Sequence, residues 1–207
     1  MFFDLLFVLN FANVGAKLED DRSILSLLEY INVFYPIWMV WFLTTLFLNR
    51  VVLDDLSAKI FLLLNAGAAL VMTLTSKLVF PQQEQNDTAV VLTRANIFIT
   101  AFLACRLIYS LMLTLTLRNS PKFMIDIISE CIFLIFSSVV YIISIAVADD
   151  NNRLVFWSVA LGIDLLYHLV SPIIKRHVFK SNYRLALNIE HFTERVGLLT
   201  IIAIGKK

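Results

Sequence analysis

The chain has 207 residues, 59% of them hydrophobic, with 17 Lys and Arg against 16 Asp and Glu for a formal net charge of +1. Its mean hydropathy of +0.82 lies far above that of a soluble domain, and a chain this short cannot surround so much apolar content with polar surface. The near-neutral balance leaves no overall basic field for nucleic acid, so any electrostatic function is local.

Apolar stretches at about 1–18, 27–48, 58–79, 95–117, 124–147, 154–174 and 190–205 fill the chain and are separated by short charged loops. A helix rises about 1.5 Å per residue, so about 20 residues cross a hydrocarbon core about 30 Å thick while satisfying their own backbone hydrogen bonds. The prediction is an all-α, multi-pass transmembrane helical bundle of about seven helices, one domain over 1–207, with the lipid bilayer as its surroundings.

In chain order, the first stretch carries Asp4 and lacks a basic leader, which favours a membrane span over a signal peptide. The second holds Pro36, Trp38 and Trp41, and the third holds the small-residue patch Asn65, Ala66, Gly67, Ala68 and Ala69, where helices can approach closely. Asn86, Asp87 and Thr88 form an N-x-T glycosylation acceptor in the following loop. Cys105 and Cys131 fall inside the fourth and fifth spans, a poor setting for a structural disulfide. Of the tryptophans, Trp157 at the start of the sixth span suits a membrane interface, and Pro36 and Pro172 are candidates to kink or end their helices.

Lys and Arg in alternate loops set the orientation. One side holds eight (Arg50, Lys59, Arg118, Lys122, Lys175, Arg176, Lys180, Arg184) and the other five (Lys17, Arg22, Lys77, Arg94, Arg153). This bias predicts a cytoplasmic amino terminus and places Asn86 on the opposite side.

Charges inside the spans are costly, about 2.5 to 3.5 kcal/mol each on insertion scales, and call for partners or a function. Arg106 lies midway along the fourth span and Asp164 midway along the sixth, at similar depth, which predicts a buried ion pair. His168 follows Asp164 by four residues and shares its helix face, a spacing suited to proton relay. Asp4, Glu130, His191, Glu194 and Arg195 fall between the cytoplasmic interface and the midplane. Together these eight residues form a candidate charged path for protons, ions or a small solute. The competing reading makes them neutralising pairs that fix helix register. Asn10, Asn13, Asn65 and Asn96 are read as interhelical hydrogen-bonding groups.

There is no G-x-S-x-G elbow, H-E-x-x-H, phosphate loop or dinucleotide fingerprint, and the three histidines and two cysteines have no metal-ligand spacing. The expectation is therefore a non-enzyme without a cofactor or metal site.

Phe2, Phe3, Asp4, Leu5, Leu6, Phe7 and Val8 resemble the first-span motif of the low temperature requirement A (LtrA) family of multi-pass membrane proteins. The closing run His191, Phe192, Thr193, Glu194, Arg195, Val196, Gly197, Leu198, Leu199, Thr200, Ile201, Ile202, Ala203, Ile204, Gly205 is similar to that family's H-x-x-E-R-x-G-L-x-x-I-I-x-x-G segment. Arg106 and Asp164 also fall where the family carries charges in its fourth and sixth spans. The resemblance covers essentially the whole chain and implies an all-helical integral membrane protein associated in name with growth at low temperature. The Asn10 to Asn13 stretch and the sequon look more like the fungal branch. Family members usually continue past the final glycine with a glutamate and further spans, whereas Lys206 and Lys207 follow Gly205 here, so the chain is expected to be a truncated member.

Overall fold

The computed structural model describes residues 4, 7–9, 14–15, 23–50, 56–76, 79, 88–119, 124–147, 149–177 and 189–204. Among these the elements are α1 (Ile24–Arg50), α2 (Leu56–Ser76), α3 (Thr88–Asn119), α4 (Met124–Ile145), α5 (Asp150–His177) and α6 (Ile189–Ile204), and the described residues before Ser23 are also helical. Five helices are long and apolar enough to cross a membrane, over Ile24–Asn49, Lys59–Ser76, Leu92–Leu115, Ile127–Ile145 and Asn152–Ser171. The protein is all-α and multi-pass.

Three of the helices, α1, α3 and α5, outrun the apolar windows read from sequence at both ends. Lys59, Arg94 and Arg153, assigned to loops, lie within α2, α3 and α5. Hydropathy marks where side chains prefer hydrocarbon, but backbone hydrogen bonding continues through the polar residues that flank it. Neither candidate proline position ends its helix. α1 runs through Pro36, which is buried, and α5 continues beyond position 172.

The helices sort into two compact units, one of residues 1–105 with 187–207 and the other of residues 106–186; the division falls within α3. In the first, α1 is the most enclosed span, with Val33, Ile37, Met39, Val40, Trp41, Leu43 and Phe47 all buried. Ser23 starts it as an N-cap, its hydroxyl accepting the Ser26 amide at 3.1 Å. α2 lies against α1 with a narrow stripe of Asn65, Ala69, Met72, Thr73 and Ser76, leaving Leu63, Leu70 and Leu74 exposed. Within the small patch, Asn65 and Ala69, one turn apart, are the buried positions, and Asn65 bonds Thr44 of α1. Gly67 faces open space, and a side chain there would meet nothing within 4 Å. α6 reaches α1 through an edge-on contact of Phe192 with Phe42, ring centroids 6.1 Å apart.

In the second unit, α4 and α5 form a hairpin. The last turn of α4 tightens through Ala146 and Val147 amides onto the Ile143 and Ser144 carbonyls at 3.1 and 3.2 Å. Asp149 then caps α5, its carboxylate accepting the Asn152 amide at 3.2 Å. Arg153 is buried behind the turn and donates to the Val147 carbonyl at 2.7 Å.

Trp157, near the start of its span, is fully enclosed by protein, and its Nε1–H donates to Ser144 Oγ at 2.9 Å, joining the two arms of the hairpin.

The buried positions of α4 are Ile127, Leu134, Ser137, Tyr141 and Ser144, with half-buried Glu130 continuing the series at spacings of three and four. Its exposed positions include Ile128, Ile132, Ile135, Phe136, Val139, Ile142 and Ile143. A helix with serines and a carboxylate inward and isoleucines outward suits hydrocarbon as its solvent. Hydroxyls on exposed faces agree: Thr75, Thr100, Thr193 and Thr200 bond carbonyls four residues earlier, at 2.7 to 2.9 Å.

Two substitutions check this architecture by unfolding in mild detergent. Trp157→Ala is expected to cost about 3–5 kcal/mol. Gly67→Ala should be neutral or stabilising by up to about 1 kcal/mol, because it adds helix propensity without a clash.

Candidate functional site

Arg106, in the part of α3 that belongs to the second unit, meets Asp164 of α5, each 5% exposed. The contact is a two-pronged fork: Nη2 donates to Oδ1 at 2.8 Å and Nη1 to Oδ2 at 3.2 Å. Nη2 also donates to Ser137 Oγ of α4 at 2.6 Å, so one guanidinium ties three helices. Ser137 Oγ lies 3.2 Å from the Phe133 carbonyl, which completes its bonding within α4. The Tyr141 ring lies 5.9 Å from the Arg106 Cζ and places its electron-rich face near the charge. The planar guanidinium matches a carboxylate in two parallel bonds, and its charge is neutralised where no water can do so.

One turn along α3, the Tyr109 hydroxyl donates to Glu130 Oε1 at 2.6 Å. Ser110 approaches the half-buried Cys131 at 3.7 Å. Glu130, Ser137 and Ser144 recur every seven residues on α4, so the polar contacts form one seam along the helix, with Leu134 and Tyr141 between them.

Arg106 and Asp164 thus meet as their depths implied, and Glu130 sits on the same seam. His168 is half-buried with its ring against Tyr167, centroids 5.3 Å apart, while both Asp164 oxygens face Arg106. Tyr167 stacks in turn on Phe133 at 4.6 Å. In the other unit, Asp4 accepts a hydrogen bond from Trp41 Nε1 at 2.9 Å. Glu194 is exposed on α6 and Arg195 half-buried. Asn86 and the side chain of His191 lie outside the described residues. The charged set is therefore divided, with Arg106, Glu130, Asp164 and His168 in one unit and Asp4, Glu194 and Arg195 in the other.

Sequence reasoning did not single out Trp41, Tyr109, Ser137 or Tyr141 as partners of the charges. The seven-residue recurrence of Glu130, Ser137 and Ser144 within an apolar run was the available signal for the α4 seam.

Five apolar spans, an outward-facing hydrocarbon surface and a charge pair sealed between helices define a polytopic integral membrane protein. The family model of the bacterial low temperature requirement A protein (LtrA) matches residues 1–207, and the chain belongs to that family. No curated protein and no solved structure matches it.

Asp164→Leu alone is expected to destabilise by about 3–5 kcal/mol, because Arg106 is left buried with its charge uncompensated. The double substitution Arg106→Met with Asp164→Leu should recover most of that loss. Detergent unfolding of the two variants beside the parent measures both effects.

Proposed function

We propose that this LtrA protein moves protons, ions or a small solute across the membrane, with the Arg106–Asp164 pair as the element that opens and recloses. The supporting observation is the fork itself, two opposite charges 2.8 Å apart between two apolar spans. Removing a partner from such a pair costs about 3–5 kcal/mol.

In this reading a proton or cation reaching Asp164 releases Arg106, and Ser137 with the Tyr141 face holds the guanidinium while the pair is apart. Glu130 and Tyr109 offer a second exchangeable position on the same seam, and His168 lies one turn from Asp164. Asp4, Glu194 and Arg195 belong to the other unit. The amino terminus is cytoplasmic by the loop charge bias. No covalent chemistry is part of this reading.

The second reading is a membrane scaffold or cold-adaptation factor without flux. It is favoured by the way both Asp164 oxygens are taken up by one guanidinium, as in a fixed pin.

Purified protein in vesicles with an internal pH-sensitive dye separates the two. Flux that responds to a pH or solute gradient in the parent and falls at least about tenfold in folded Asp164→Asn is the expected result, a barrier change of about 1.4 kcal/mol. Folded parent protein that moves neither protons nor ions assigns the pair to the pin.

A further inference from the structure

Both oxygens of Asp164 accept from one guanidinium, Oδ1 from Nη2 at 2.8 Å and Oδ2 from Nη1 at 3.2 Å, and Nη2 also reaches Ser137 Oγ at 2.6 Å. Arginine keeps its charge at every physiological pH, so within the fork it is Asp164 whose charge can be removed. A proton on Asp164 neutralises the carboxylate. The guanidinium then stays positive at a position 5% exposed between apolar spans, matched to a charge that is gone.

The fork therefore selects what can enter it. A metal cation is poorly suited, because it would stand beside a permanent positive charge and share one carboxylate with it. An anion in the place of the neutralised carboxylate restores the balance. The two donors are set for two oxygens of one planar group, as a carboxylate presents them. Nitrate, bicarbonate and small monocarboxylates have that shape and a single charge. A halide offers one point of contact instead of a plane, and a divalent oxyanion would bring a negative charge in excess. Ser137 is anchored on the Phe133 carbonyl at 3.2 Å and the Tyr141 ring lies 5.9 Å from Arg106 Cζ, so the guanidinium keeps two contacts on α4 while its partner changes. The neighbouring titratable groups among the described residues are the Tyr109–Glu130 pair, one turn along α3, and His168, one turn along α5.

We propose, resting on the transport reading above, that Arg106 is the receptor for a planar monovalent oxyanion and that Asp164 holds its place between turnovers. The anion enters with a proton. One Asp164 oxygen takes the proton, the carboxyl group leaves the fork, and the anion accepts the two N–H bonds. On release the anion departs, and Asp164 gives up the proton and closes on Arg106 again. One proton and one anion cross together, and no net charge moves.

Nitrate is the probe, since it combines the shape with a single charge and, as the anion of a strong acid, does not cross lipid as a neutral molecule. The parent protein is placed in vesicles with an internal pH-sensitive dye, the potential held at zero by potassium and valinomycin. An inward nitrate gradient should acidify the interior at least about tenfold faster than sulfate at equal ionic strength. The second measurement is made in detergent on Asp164→Asn, whose amide stands for the protonated carboxyl group. Nitrate should raise its unfolding temperature in a saturable way that sulfate and chloride do not match. Arg106→Met with Asp164→Leu should show no such response. Protons that move equally in nitrate and in sulfate through the parent overturn this inference and leave the transport reading standing, whereas a folded parent that moves neither protons nor ions overturns both. A folded Asp164→Asn without a saturable nitrate response also overturns the anion site.

Discussion

Hydrocarbon offers a buried polar atom no water, and the architecture of this protein follows from that one constraint. Backbone groups answer it by forming helices, and exposed threonines answer it by folding back on their own carbonyls. Charges answer it by finding each other. Arg106 is the fullest case, because its guanidinium takes up Asp164, Ser137 and the face of Tyr141 from two further helices. The same rule joins Trp157 to Ser144, Tyr109 to Glu130 and Trp41 to Asp4.

The constraint also explains why one surface of α4 looks reversed. In water its isoleucines would gather inward and its serines outward. In a bilayer the apolar side gains nothing by leaving lipid, so small and polar residues are what hold helices together. Packing at Ser137 and Ser144 brings α4 close enough for a guanidinium and an indole to reach across. Membership of the LtrA family rests on the family model that matches residues 1–207.

Much of this was legible before any coordinates. Apolar length marked the spans, and counting along them put Arg106 and Asp164 at one depth, because two helices separated by one hairpin run in the same direction. Partners were harder to see. Ser137 is one of two adjacent serines, and only the rotation of α4 about its axis decides that Ser137 faces Arg106 while Ser138 turns to its own helix. Hydropathy reports Trp157's distance from a span end and says nothing of its burial against Ser144. Thr45 gave no sign at all, since a threonine in a span ordinarily bonds within its helix. That its Oγ1 meets no partner among the described residues is a property of three-dimensional packing.

The seam between α4 and α5 has a further consequence for how the hairpin assembles. Ser137 occupies the level of Asp164, with Glu130 seven residues before it and Ser144 seven after. Sliding α5 by one heptad toward Glu130 would set two carboxylates at one level, and sliding it the other way would drive Asp164 into the place of the Trp157 ring. Apolar seams tolerate such slips because every layer looks alike; here each layer is chemically distinct, so the two strokes of the hairpin can mesh in a single alignment.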